Sequence, residues 1–250
     1  MPRSCLATAL LALGMLVGSP GAMAAGDPDA LRKIVQRQCV VHWLQSASAA
    51  PCDSVYLPPS RDLDSGYAVL KDRKGGAHFL IISTRAIGGM ESPELLKPGV
   101  PNYFAAAWRE RGRIAAVIGH PVPRDAVGLA INPKHARTQD QFHIHLECLR
   151  ADVAAALHRI AVRLGDQWAP MRIGGTTYQA IRIRGEALGE VDPIRVLAER
   201  LPAARESMGD YTLVLAGISF ADGPGFVELA GTGPAGELLL DSTCAMVRRR

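Results

Sequence analysis

The run FHIHLECL, Phe142 to Leu149, constrains the fold of this chain more than any other stretch of it. Phe142, Ile144 and Leu146 alternate with His143 and His145, and successive side chains of a strand point to opposite faces of a sheet. The pattern demands a strand with one apolar face to bury and both imidazoles side by side on the other. From the alternation alone three readings of the pair stand open: two polar residues on a solvated face, two ligands of a metal such as zinc, or a nucleophile with its helper. A third metal ligand would have to come from His42, His78, His120, His135 or His158, and none sits at a telling spacing.

Such a strand needs neighbours, and the chain supplies them. YAVLKD and HFLIIST, split by the RKGG turn, predict an antiparallel hairpin, and AVGLAIN predicts the strand that leads through the polar loop PKHARTQDQ into the histidines. DALRKIVQRQCVVHWL, behind a possible Asp29 cap, has helical apolar spacing, VPNYFAAAWRERG predicts a helix stopping at Gly112, and ADVAAALHRIAVRLG predicts an amphipathic helix linking two halves. The second half repeats this grammar in reduced form, with the strand YQAIRI, the helix DPIRVLAERLP, the strands YTLVLAGISF and GFVELAG, and a short GELLLD, but no HxH. The expected class is α+β, an antiparallel sheet with helices, in which a catalytic half (25–150) and a degenerate second half (151–250) make up one domain, 25–250.

A chain of 250 residues, 48% of them apolar, can bury a core of that size. The net charge of +4 is spread over scattered Lys and Arg and only 5% of residues are aromatic, so no nucleic-acid partner is expected; a small anionic substrate or an anionic membrane surface suits the balance better. Residues 1–24 read as an export signal, with Arg3, an apolar run from Leu6 to Val17, and Ala22-Met23-Ala24 before a cleavage point. The run falls short of the roughly 20 residues that span a bilayer unless extended through Ala25, so a retained anchor stays open beside cleavage. Export makes Cys39, Cys52, Cys148 and Cys244 an even set in a disulfide-permissive compartment. Of three pairings we favour Cys39–Cys52, closing a short Pro-containing loop, and Cys148–Cys244, tying the end of the chain to the histidine strand.

The loop before the histidines narrows their chemistry. Asn132, Lys134, His135, Arg137, Thr138, Gln139 and Gln141 crowd polar donors ahead of His143, with Asp140 the one acid, which suits gripping phosphate oxygens. AINPKHARTQDQFHIHLECL resembles the loop and strand of the histidine-triad superfamily, in which an Asn is followed seven residues later by a Gln and then by His-x-His-x-His. Asn132, Gln139, His143 and His145 fit that register without a gap, Glu147 stands where the third histidine belongs, and Thr84 and Arg85 replace a lysine pair. HFLIISTRAI is similar to the superfamily's earlier strand and brings His78 beside the site.

Within the superfamily, this two-histidine form in an exported chain most resembles the CDP-diacylglycerol pyrophosphatases. The resemblance implies hydrolysis of CDP-diacylglycerol to CMP and phosphatidate at the periplasmic side of a bacterial inner membrane, without metal or other cofactor. It implies a covalent cytidylyl-histidine, with His145 as nucleophile and His143 beside it, the roles exchanging if the register slips by two. His78, Asn132, Lys134, Arg137, Gln139 and Gln141 are the expected substrate contacts, and Asp140 either aligns water or caps the turn. Asp72 is a weak candidate for a ribose contact. Two other classes stand beside this one: a zinc phosphohydrolase using the HxH pair, and a nucleotide or lipid carrier without turnover. Oligomeric state is not legible.

Overall fold

The computed structural model describes residues 26–73 and 75–248; the export segment lies outside them. Ten strands are present: β1 (Ser54–Tyr56), β2 (Tyr67–Lys71), β3 (Phe79–Ser83), β4 (Val127–Ile131), β5 (His143–Leu149), β6 (Ala169–Ile173), β7 (Thr176–Arg184), β8 (Thr212–Phe220), β9 (Gly223–Gly231) and β10 (Leu240–Asp241). They form one antiparallel sheet in the order β1-β2-β3-β5-β4-β8-β9-β7-β6, with β10 paired to the end of β5. The expected α+β class and hairpin pairings are therefore present.

The halves share a connectivity. Strands β2-β3-β5-β4 and β6-β7-β9-β8 follow the same path, a hairpin, a helical excursion and a second hairpin whose last strand lies beside the first hairpin, and the two sets meet at β4–β8. This is a statement about chain path, and it leaves a common origin of the halves untested.

Helices cover both faces because the strands alternate. Ile81, Ile144, Leu146, Leu129, Leu215 and Phe226 point to one face, where α3 (Tyr103–Arg109), α4 (Gly112–Ile118) and α6 (Pro193–Arg200) seal them. Asn102 accepts from the Ala105 amide to start α3, and Asp192 accepts from Ile194 to start α6, with Pro193 in the first turn where its missing N–H costs nothing. Gly112 opens α4 rather than ending the preceding helix, and β1 and β6 are strands that the sequence pattern did not single out.

The opposite face is divided. Leu80 and Ile82 pack under the N-terminal helix, which runs as α1 (Ala30–Ile34), a π-helical turn Val35–Cys39 and α2 (Val40–Ser46). Ala130, Val214, Val227 and Leu229 pack under α5 (Ala151–Ala161). His143 and His145 pair with Ile82 and Leu80 on one side, and His145 with Ala130 on the other, so the imidazoles lie between these two apolar clusters. Each buried aliphatic side chain on this face is worth about 1.5–3 kcal/mol, so a polar strip along it is a costly exception.

The disulfides Cys39–Cys52 and Cys148–Cys244 are both formed. They favour an oxidising compartment. No helix among the described residues is long and apolar enough to cross a membrane.

Candidate active site

The period of β5 places His143, His145 and Glu147 on one face in sequence order, and Gly128 of β4 lies across from Glu147. A Cβ on Gly128 would come within 2.5 Å of Leu240 and 2.7 Å of Leu149, so only glycine fits there. His143 is half-buried, whereas His145 and Glu147 are each 5% exposed.

His143 is held by its own strand. Its Nδ1 lies 2.6 Å from the carbonyl oxygen of Gln141, an acceptor only, so Nδ1 carries the proton and Nε2 the lone pair. No hydrogen bond from a described residue reaches that Nε2. Burial lowers the pKa of this imidazole, against the carbonyl's opposing pull, so it is neutral at pH 7.

His145 is engaged at both nitrogens. Its Nδ1 lies 3.0 Å from Nε2 of His78 and 3.4 Å from Oε2 of Glu237, and its Nε2 lies 3.4 Å from Nδ2 of Asn132. The Asn132 carbonyl accepts from the Glu237 amide at 3.2 Å, which turns the Asn132 NH₂ toward the ring. Nε2 of His78 also meets Oε1 of Glu147 at 3.3 Å, and its Nδ1 faces Asp72 at 3.8 Å. Burial pushes His145 well below the ordinary histidine value, helped by His143 and His78. Burial lowers His78 too, with Asp72 opposing. Glu147 is driven up to about 8, by burial first and then by Glu237, Asp241 and Asp72.

The structure thus gathers His78, Asn132, His143 and His145, and adds Glu147, Glu237 and Asp72. Glu237 lies far away in sequence and carries no motif; only the pairing of β10 with β5 signals it. The rest of the polar loop is differently employed. Gln139 accepts from the Leu31 amide at 2.7 Å and donates to Asp27, anchoring the N-terminal helix. Gln141 is fully buried, donating to the carbonyls of Ser83 and Arg85 and accepting from Arg32 at 3.1 Å. Arg137 is clamped, bidentate to Glu91 at 2.6 and 2.7 Å and bonded to Asp140 at 3.0 and 3.1 Å. Lys134 and Asp140 are exposed. Arg32, which also bonds the Asp140 carbonyl, reaches this loop from α1, and no local spacing announces it.

Neutral imidazoles on a rigid strand, one with its lone pair preset, are suited to attack on phosphorus. Comparison with known proteins agrees in kind. The family model described as CDP-diacylglycerol pyrophosphatase matches residues 26–248. A Yersinia pestis protein described as CDP-diacylglycerol pyrophosphatase is 36% identical over 254 residues, covering 98% of this chain and 95% of its own length.

Proposed function

The chain belongs to the CDP-diacylglycerol pyrophosphatase family, and from that premise we propose that it hydrolyses the diphosphate of CDP-diacylglycerol through a cytidylylated His143. The observation that carries the assignment to His143 is the 2.6 Å bond from its Nδ1 to Gln141, which fixes the proton away from Nε2. This is the exchanged form of the register read from sequence. His145, met at both nitrogens, takes the supporting place beside it.

In the first step Nε2 of His143 attacks the phosphorus next to cytidine. The N–P bond forms, the bond to the bridging oxygen breaks, and phosphatidate leaves with that oxygen. A phosphate leaves readily as an anion, so no strong general acid is required. The imidazolium that results keeps its Nδ1 proton on the Gln141 carbonyl. Water then attacks the same phosphorus, the N–P bond breaks, CMP departs with the water's oxygen, and the released proton passes to solvent. Splitting one displacement into two lowers each barrier.

Asn132 and His78 border the attacked position and are the proposed phosphate contacts. Gln139, Gln141, Arg137 and Asp140 act through the loop they brace. A histidine-triad-like ancestry, and work at an anionic membrane surface on the periplasmic side, complete the reading. The test uses substrate radiolabelled in the cytidylyl phosphate and a rapid acid quench. Wild type should carry label, His145→Ala should still carry some, and His143→Ala none; label kept by His143→Ala and lost by His145→Ala moves the nucleophile to His145. Release of CMP and phosphatidate, against no turnover of dinucleoside polyphosphates, identifies the substrate.

A further inference from the structure

We propose that His78, His145 and Glu147 form a binding site for one divalent cation of the zinc type, placed beside the attacking imidazole rather than on it. The inference deepens the function proposed above and rests on it only for the cation's role.

The donor atoms of these three side chains all lie within 4.8 Å of one another. Nε2 of His78 is 3.0 Å from Nδ1 of His145 and 3.3 Å from Glu147, and Glu237 stands 3.4 Å from the same Nδ1. A tetrahedral zinc with bonds of about 2.0–2.1 Å holds its donors about 3.3 Å apart.

Protons cannot satisfy the same set. Each of the two facing ring nitrogens has either one proton or one lone pair. If His145 donates to His78, the His78 lone pair is used and Glu147 has nothing to receive from it. If His78 donates to His145, Glu237 is left in the same position. If both nitrogens are protonated to serve the two carboxylates, two N–H groups oppose each other across 3.0 Å. One cation at the centre serves every donor. Among the described residues no Lys or Arg forms an ion pair with Glu147 or Glu237, so a positive charge is lacking where carboxylates gather.

Further detail supports this reading. Nδ1 of His78 faces Asp72, as a metal-bound imidazole commonly directs its other N–H at a carboxylate. Two nitrogens and one oxygen suit zinc better than magnesium or calcium, which favour oxygen. Zinc on Nδ1 of His145 leaves the proton on Nε2, so Asn132 must turn its carbonyl to that nitrogen or release it. It also removes His145 as a nucleophile, in keeping with attack by His143. The fourth position is left for Glu237, water or a diphosphate oxygen, whose charge the cation would offset.

The full chain is stripped with chelator and titrated calorimetrically with zinc chloride, and the retained metal is counted after gel filtration. One equivalent should bind, with affinity reduced about 100-fold or more in His78→Gln and Glu147→Gln and unchanged in His120→Gln, which alters an exposed histidine elsewhere. Cobalt in place of zinc should give the intense visible absorption of a four-coordinate ion, a readout that needs no variant. Absence of a retained equivalent and of that absorption, or equal affinity in wild type and Glu147→Gln, overturns the site. Protein that forms labelled His143 but holds no zinc removes the cation and keeps the covalent reading. Protein that holds zinc and never forms label removes the covalent reading and keeps the site.

Discussion

Strands β5 and β9 occupy the same place in the two halves of the sheet, each between its half's first hairpin and the strand that meets the midline. On the face between α1 and α5, β5 shows His143, His145 and Glu147, whereas β9 shows Val227 and Leu229, sealed beneath α5. The chemistry sits where the helical cover is interrupted. Each strand also carries one buried acid. Glu147 meets an imidazole, while Glu228 points to the opposite face, with Ile181 and Leu215 as its cross-strand neighbours. Neither oxygen of Glu228 has a hydrogen-bond partner among the described residues, and burial, then Asp192, holds its pKa well above the carboxylate range. A buried acid met by ring nitrogens is part of a site; one met by nothing is carried neutral, at a cost in stability.

The sharpest way to break this contrast is His143→Ala. Loss of a covalent nucleophile should lower turnover by about four orders of magnitude or more, with the melting curve almost unmoved, since the ring is half-buried and bonded only to its own strand. Steady-state release of CMP checks it. An unaffected rate in His143→Ala would falsify the assignment.

Next come the paired substitutions of the two acids. Glu147→Met should lower kcat/KM about 100-fold or more, because the imidazoles lose their acidic neighbour. Glu228→Met should leave kcat/KM unchanged and raise stability by about 1–3 kcal/mol, because an apolar chain replaces a polar group without partners. Denaturant melts and initial rates on both variants decide the matter, and similar effects from the two would erase the distinction between the strands.

That distinction was only half legible in the sequence. The alternation in FHIHLECL and in the hairpin HFLIIST sufficed for strands, pairing and a shared imidazole face, because a period of two is a local property. The cysteine pairs followed from few alternatives. Which donors converge on that face was not legible, because Glu237 arrives on β10 and Arg32 on α1 through packing across the whole chain. The polar loop misled for a related reason. Arg137, Gln139 and Gln141 looked like phosphate donors, and a loop that crosses a buried edge needs the same groups to satisfy its own backbone and to hold α1.

A smaller effect should appear in the pH dependence of stability. Asp192, near Glu228, is raised to about 6, chiefly by burial, from an ordinary value of 3.8. The native state therefore binds more protons than the unfolded chain between those values. Its stabilising contribution is whole below about 3.8 and disappears as pH rises through about 6, a loss of up to about 3 kcal/mol. Asp192→Asn keeps a side chain able to cap α6 and should flatten that part of the curve, read as the difference between wild-type and variant melts from pH 4 to 7.

The mildest probe concerns the loop that both regions lack in common. Gln139→Ala removes the acceptor of the Leu31 amide at the start of α1, a bond worth about 1 kcal/mol. If Gln139 braces rather than binds, the variant should lose about that much stability and release α1 to faster hydrogen exchange, while KM for CDP-diacylglycerol moves less than about threefold. A large rise in KM with unchanged exchange would return Gln139 to the substrate, and with it the view that this loop, and not the converging strands, holds the diphosphate.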